Sequence, residues 1–173
     1  MLVLIAVTLS GCAASGKLYN DMSADAVAMG PNQGRLTVFR TKETLVAAGR
    51  DVLVTLDHAS GKSVGYGGFA SIDTSAGQHG LSIALAGEKS RCEIGFSLEP
   101  SRELFFELKP NTGRVVGEAV IAGVSTGWAA SGIYQTMSGQ AADPNNCSGY
   151  FSIAPVDREY AQKQLATIRA SAQ

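Results

Sequence analysis

The chain contains 173 residues, of which 45% are hydrophobic and 17% are charged, and its formal net charge at pH 7 is −1. This hydrophobic content excludes an intrinsically disordered chain, and the length suits one domain with a single core. A net charge so close to zero excludes the classes of protein that use a strong overall field to attract nucleic acids or anionic lipids.

The N-terminal residues resemble a bacterial lipoprotein signal sequence. An apolar run from Leu2 leads into Leu9-Ser10-Gly11-Cys12, which is similar to a lipobox because a branched residue stands three places before the cysteine. The run is too short to span a bilayer as a helix, which needs about 20 apolar residues. No Lys or Arg precedes it, so either the true start lies upstream or the basic segment is weak. The alternative interpretation is a buried N-terminal strand that happens to end in cysteine.

The lipobox resemblance implies an anchor and a location. Residues 1–11 would be removed, and Cys12 would carry diacylglycerol and an N-terminal acyl chain. Three acyl chains hold a protein stably on a bilayer, because each buried methylene contributes about 0.8 kcal/mol. Ala13 rather than Asp follows the cysteine, which favours the outer membrane, with the protein facing the periplasm. We expect residues 12–33 to tether the domain to the lipid, with one helical turn near residues 24–29.

Residues 34–173 predict a mainly β domain. Short alternating segments recur at spacings of roughly 8–12 residues, which is typical of an antiparallel β-sandwich of the immunoglobulin or transthyretin type. The predicted strands cover residues 35–40, 51–57, 62–65, 69–73, 78–85, 91–98, 103–108 and 149–154. Residues 157–170 predict a C-terminal helix, because Asp157 suits an N-cap and because Ala161, Leu165 and Ile168 share one face.

Two further cysteines, Cys92 and Cys147, each begin a β-like run. An even pair in an exported protein predicts a disulfide, whereas a metal site would need further Cys or His ligands nearby. A bond between them would make their strands neighbours in one sheet or opposite strands across the core.

A glycine-rich insert follows at residues 115–139, and its segment 115–134 carries a single charge, Glu118. Small residues recur here at every fourth position, namely Ala119, Gly123, Gly127 and Ser131. Trp128 belongs to the neighbouring row. In a helix, this small face would let another helix approach closely and the length would fit a bilayer, which predicts membrane contact, self-association or a protein partner. A strand followed by a glycine-rich loop is the alternative, because each glycine inside a soluble helix costs about 1 kcal/mol.

The sequence offers no catalytic constellation. His58 and His79 are its only histidines. Asp57 precedes His58, but adjacent residues of a strand point to opposite faces. Spaced metal ligands, a phosphate loop, a dinucleotide fingerprint and a basic aromatic stripe are all lacking. We therefore predict that the protein is not an enzyme and that it has no catalytic residue, no bound metal or cofactor and no nucleic-acid partner.

Several short stretches resemble a family of bacterial lipoproteins that share the domain of unknown function 2846. They are the strand at 34–40, the strand ending near Asp57, the pair Gly68-Phe69, and Ala76-Gly77-Gln78-His79-Gly80. The last is similar to the family's Pro-Gly-x-His turn, with Ala76 in place of proline. The resemblance covers residues 34–109. It implies a fold and an envelope location, but no activity and no catalytic residue.

These features together predict a lipid-anchored, non-enzymatic protein of the cell envelope that scaffolds or binds a partner in the periplasm. Two alternatives remain open: an assembly lipoprotein of a secretion or pilus machine, and an inhibitor or ligand-binding lipoprotein. The inhibitor would present a polar loop to an enzyme, and the candidate loops are residues 58–62 and 143–146.

Overall fold

The computed structural model describes residues 14–24, 26, 28–43, 45–111 and 147–171. Predictions that fall on Cys12, on the loop at 143–146 and on the insert at 115–139 lie outside these ranges; the insert residues concerned are Ala119, Gly123, Gly127, Trp128 and Ser131. The described elements are α1 (Tyr19–Ala24), β1 (Gln33–Phe39), β2 (Val52–Leu56), β3 (Lys62–Val64), β4 (Gly68–Ser75), β5 (Gly77–Leu85), β6 (Arg91–Leu98), β7 (Glu103–Pro110), β8 (Phe151–Val156), α2 (Arg158–Leu165) and β9 (Arg169–Ala170).

The strands form two sheets that pack face to face. Sheet A has the strand order β8-β7-β1-β4-β9, and sheet B has the order β3-β2-β5-β6. The predicted mainly β sandwich with a C-terminal helix is confirmed. Sheet A is mixed rather than purely antiparallel, because β1 runs parallel to β7 and β4 runs parallel to β9. Between β1 and β7 the chain passes through sheet B, which supplies the long crossover that parallel neighbours need.

Alternating side chains fill the space between the sheets. In β2, Val52, Val54 and Leu56 are buried, whereas Leu53 between them is 43% exposed. The same period of two recurs in β5, because successive side chains of a strand point to opposite faces. The inner faces of both sheets therefore meet in one apolar cluster, to which Phe106 of β7 also belongs.

Sheet A is buried on both faces. Phe39, Phe69 and Phe105 project from its outer face into a second apolar cluster, together with Tyr19 of α1 and Leu165 of α2. As a result β1 carries a nearly continuous run of buried residues instead of an alternation. The two short helices form a third layer over this sheet.

The C-terminal helix is shorter than predicted. Asp157 caps it as expected and accepts a backbone N–H at 2.8 Å, but α2 ends at Leu165 rather than at residue 170. After a turn, Ile168 packs in the outer cluster of sheet A, and Arg169–Ala170 forms β9 beside β4. The spacing of three between Leu165 and Ile168 suits both a helix and this turn, which is why the helix was predicted too long.

The segment predicted as a tether is part of the domain from Ala14 onward. Gly16 donates its N–H to the Ala170 carbonyl at 3.0 Å, and Ala170 donates its N–H to the Lys17 carbonyl at 2.8 Å. The helix α1 begins earlier than the predicted turn at 24–29, and its first residue, Tyr19, is only 8% exposed. The prediction of a free tether over residues 12–33 is therefore wrong for this part. None of the helices in the described ranges is long and apolar enough to cross a membrane.

A disulfide joins the two sheets at one side of the sandwich. Cys92 belongs to β6, the last strand of sheet B, and Cys147 precedes β8, the last strand of sheet A. Their Cα atoms are 4.1 Å apart and the structure bonds the two sulfurs. Of the two predicted arrangements, the structure has the second, in which the two strands face each other across the core.

We expect the Cys92→Ser/Cys147→Ser variant to unfold more easily than the wild type. The bond closes a loop with a sequence separation of 55 residues. The chain-entropy model assigns about 4 kcal/mol of stabilisation to a loop of this length. Urea denaturation measures the loss, and the wild type treated with reductant is the control that should show the same loss. A difference below about 1 kcal/mol would contradict the structural role of the bond.

Candidate functional site

In the part of the chain that the structure describes, one long side of the sandwich is open and forms a groove, which we call the edge groove. It lies where β6 ends sheet B and where β7 and β8 end sheet A. Its volume is about 560 Å³. The apolar side chains that line it are Ile94, Phe96, Leu104, Phe105, Phe106, Pro155 and Val156.

The alternation of β6 explains why the edge groove is apolar. Cys92, Ile94, Phe96 and Leu98 face the core, because they occupy every second position of the strand. Cys92 and Leu98 are buried, but Ile94 and Phe96 between them are only half-buried. Phe96 packs edge-on against Phe106 of β7, with ring centroids 5.4 Å apart. The edge groove is thus the uncovered middle of a core-facing row.

The backbone of β6 is open along the same side. In an antiparallel ladder, alternate residues direct both backbone groups toward the partner strand, and the others direct them away. The Arg91 carbonyl accepts the Ser148 N–H at 3.2 Å, which marks Arg91 as a residue that points away from β5. By this alternation, Glu93, Gly95 and Ser97 also point their N–H and C=O groups outward. Within the described ranges no strand pairs with them there.

Among the described residues, little obstructs an approach to this edge. A Cβ placed at Gly95 would meet no atom within 4 Å. Proteins usually protect long edge strands with charges, prolines or covering segments, because unpaired backbone groups recruit other strands. In β6, Arg91 and Glu93 carry charges, but the stretch from Gly95 to Leu98 carries none. The second half of β6 therefore has the properties of a strand that accepts a partner.

The charged residues at one end of the edge groove hold the two helices in place. Glu103 accepts the hydroxyl groups of Tyr19 at 3.1 Å and Thr37 at 3.0 Å. Asp157 accepts the N-terminal N–H of α2. Among the residues that line the groove there is no Ser, Thr, Cys, His, Lys or Tyr. Both acids of the described lining are thus engaged in contacts that position the helices.

A second cleft, of about 660 Å³, lies between α1 and the outer face of sheet A. Its polar groups bind one another. Arg35 donates two hydrogen bonds to Asp73, at 2.6 and 2.8 Å, and this lowers the pKa of the Asp73 carboxyl. Burial, together with the charge of Glu103, raises the pKa of Tyr19 to about 12, so that its hydroxyl stays a donor. The Arg35–Asp73 pair joins β1 to β4, and the Tyr19–Glu103 hydrogen bond attaches α1 to the sheet, so these contacts are structural.

The structure brings together Asp57 and His79, a pair that the sequence analysis missed. Nδ1 of His79 lies 2.6 Å from Asp57 Oδ2, and Nε2 lies 2.8 Å from the Ser75 carbonyl oxygen. A carboxylate and a carbonyl only accept hydrogen bonds, so this geometry favours the doubly protonated, cationic form of the ring. The hydrogen bond to Asp57 accordingly raises the pKa of His79. Both ring nitrogens are engaged, and the pair joins the turn after β2 to the start of β5.

The Asp57–His79 contact depends on strand register. Leu56 at the end of β2 lies opposite Leu81 of β5. This register brings Asp57, which follows Leu56, close to His79, which lies two residues before Leu81. The separate strand patterns do not reveal this register, because either strand fits several partners. His58, the sequence neighbour of Asp57, is exposed.

No protein-family model matches the chain, and no curated protein matches it. In the part of the chain that the structure describes, no group of three or more His, Cys, Asp or Glu is placed to hold a metal ion. Of the predicted site residues, Cys92 and Cys147 are brought together. Cys12 and the small-residue row of the insert lie outside the described residues.

We expect an NMR titration of His79 to give a pKa above the ordinary value of 6.5, and Asp57→Asn to lower it. The raised pKa belongs to the folded state, so the pair stabilises the fold fully below pH 6.5, and this contribution is lost as the pH rises through the folded-state pKa. Urea unfolding at several pH values measures it, with His58→Asn as the control. A His79 pKa at or below 6.5 would contradict the charged ring.

Proposed function

We propose that this protein is a lipid-anchored, non-enzymatic protein of the cell envelope that binds an extended segment of a protein partner along β6. The observation that carries the proposal is the edge of β6, with which no described strand pairs, above an apolar groove. The lipobox-like Leu9-Ser10-Gly11-Cys12 supports an anchor at Cys12 and a position facing the periplasm, on the outer membrane. The Cys92–Cys147 disulfide supports an oxidising compartment.

Strand addition explains how the edge groove would recognise its partner. A polypeptide laid beside β6 would exchange backbone hydrogen bonds with Glu93, Gly95 and Ser97, at the strand spacing of about 4.8 Å. Its side chains would alternate, one set toward Ile94 and Phe96 and the other toward solvent. Because the contacts in the groove are mostly apolar, the partner segment should carry apolar residues at every second position.

The described neighbours of β6 limit the length of this interaction. Ser148 already occupies the Arg91 carbonyl, so pairing is available only from Glu93 to Leu98. Arg102 and Arg158 stand near one end of the groove, beside the carboxylates of Glu103 and Asp157. This mixture of charges favours neither an acidic nor a basic segment, and selectivity then depends on shape and on the apolar pattern.

The alternatives make different use of this surface. An assembly lipoprotein of a secretion or pilus machine would use the same edge, since strand addition is a common way to join such subunits. An inhibitor would instead use the exposed turn at 58–62, in which Asp57 and His58 open the turn with positive φ angles of 48° and 60°. Changes on β6 would leave an inhibitor unaffected.

We expect Cys12→Ala to move the protein from the membrane fraction to the soluble periplasmic fraction. Without the thiol there is no site for diacylglycerol, and the acyl chains supply the stable part of membrane binding. Labelling of cells with radioactive palmitate, followed by fractionation, measures both effects. Ser10→Ala is the control, because it keeps a small residue before the cysteine and should keep the label. Palmitate label retained by Cys12→Ala would refute the anchor.

We expect Gly95→Pro to abolish partner binding and Gly95→Ala to preserve it. Proline removes the outward N–H and is tolerated on an edge strand, so the pairing of β6 with β5 should survive. Alanine keeps that N–H, and its Cβ meets no atom within 4 Å. A photo-crosslinking residue at Ser97 in native cells, with mass spectrometry of the linked peptide, measures the contact.

The crosslinked peptide decides between the possible occupants of the edge. An extended segment of another protein, linked in the wild type and in Gly95→Ala but lost in Gly95→Pro, supports the proposal. Links to a second copy, or to residues 112–146 of the same chain, would refute it and assign the edge to self-association or to the insert. Equal links in all three proteins would show that the backbone of β6 takes no part.

A further inference from the structure

We propose that the loop at residues 41–50 presents Leu45 to the lipid bilayer and so fixes the orientation of the domain on the membrane. This inference rests on the proposed anchor at Cys12 and adds a second contact with the same membrane. This contact lies at the end of the sandwich where the N-terminal segment meets the domain.

The chain between the anchor and the domain is too short to act as a spacer. Ala14 donates its N–H to the Tyr66 carbonyl at 3.3 Å, and Gly16 is bonded to Ala170. Only Ala13 separates Ala14 from Cys12. Because successive Cα atoms are 3.8 Å apart, a chain of this length reaches no more than about 8 Å from Ala14. Acyl chains on Cys12 would therefore hold this end of the sandwich at the bilayer surface.

The loop at 41–50 emerges at the same end. Tyr66, whose carbonyl binds Ala14, donates its hydroxyl to the Lys42 carbonyl at 2.8 Å. Leu45 is 80% exposed, against 43% for Leu53, the next most exposed large hydrophobic side chain that the structure describes. An apolar side chain on a surface that an anchor holds against lipid is suited to enter the headgroup region.

A buried arginine fixes the shape of this loop. Arg40 is 2% exposed, and its guanidinium donates to the carbonyls of Val46 and of Arg50, the latter at 2.9 Å. It also lies over the Phe151 ring, 4.6 Å from the centroid. Burying a charge is costly unless its donors are satisfied, so these carbonyls must stay in place around it. The exposure of Leu45 is therefore a property of a held loop.

Charge does not explain a membrane contact at this end. The net charge of the chain is −1, which gives no long-range attraction to anionic lipid. Arg50 lies 3.3 Å from Glu88, so its charge is compensated. Leu45 is then the side chain that carries the contact, and we expect the contact to be the same on neutral and on anionic bilayers.

The turn at 99–102 lies at the opposite end of the sandwich and supplies a control position for comparison with Leu45. Ser101 donates its N–H to Gln33, the first residue of β1, at 2.7 Å, whereas the loop at 41–50 follows the last residue of β1. The seven residues of β1 separate the two ends by about 20 Å. Glu99 is highly exposed, with 74% of its side chain accessible.

The test uses the lipidated, full-length protein in vesicles of phosphatidylethanolamine and phosphatidylglycerol. Leu45→Cys and Glu99→Cys are each labelled with nitrobenzoxadiazole, and lipids with a nitroxide on the acyl chain are the quencher. We expect about threefold stronger quenching and a blue-shifted emission at position 45, because interfacial side chains enter the bilayer by about 5–10 Å. Vesicles of phosphatidylcholine should give the same contrast.

A second pair of variants tests the apolar contact itself. A label on Lys42→Cys should lose roughly half of its quenching when Leu45→Ser is added. Serine lacks the favourable free energy that leucine gains when it moves from water into the bilayer. Gly49→Ser in the same loop is the control, since a Cβ there meets no atom within 4 Å. Unchanged quenching in Leu45→Ser would overturn the contact through Leu45.

The outcomes separate this inference from the proposed function. Equal quenching at positions 45 and 99, or none at 45 in a vesicle-bound protein, would overturn the membrane-facing loop and leave the anchor intact. If the full-length protein purified from cell membranes carries no acyl chain on Cys12 and does not bind vesicles, the anchor is overturned, and the loop contact with it.

Discussion

Sheet A needs cover on both faces, and this constraint organises the rest of the molecule. Sheet B covers its inner face, but Phe39, Phe69 and Phe105 on its outer face would otherwise be left in water. The cover comes from both ends of the chain, with Tyr19 of α1 and Leu165 of α2. Burial of such aromatic side chains is among the larger favourable contributions to folding. The N-terminal segment is therefore held on the domain and cannot serve as a free tether.

The two sheets differ in width, and the edge groove results from that difference. Sheet A has five strands and sheet B has four, within the described ranges. The disulfide draws β6 and the start of β8 together near Cys92, but Ile94 and Phe96 farther along β6 stay half-covered. If the core were closed at this side, β6 would have no accessible edge. The same mismatch thus leaves both the unpaired backbone and the apolar floor that the proposed function uses.

The proposed anchor and the edge groove face different ends of the sandwich. Ala14, the loop at 41–50 and the disulfide lie at the end where β1 finishes, whereas Arg102 and Asp157 mark the end of the groove near the start of β1. Asn111 donates its side-chain amide to the Cys147 carbonyl at 2.9 Å, so the chain leaves and re-enters the described part at the anchor end. A partner would then reach β6 from the side away from the membrane.

The sequence by itself determined the strands, the alternation of buried residues, the Asp157 cap and the choice of Cys92 and Cys147 as partners. These features depend on local periodicity, on capping chemistry or on counting, which a single chain displays directly. Only the tertiary structure decided the parallel β1–β7 pair, the docking of residues 14–19, the strand at 169–170 and the Asp57–His79 contact. Each of these depends on which distant segments pair and in which register, and many registers satisfy the same local pattern. The alternation from Cys92 to Leu98 predicted an apolar face of β6. That Ile94 and Phe96 in its middle are only half-buried depends on how far sheet A extends over them.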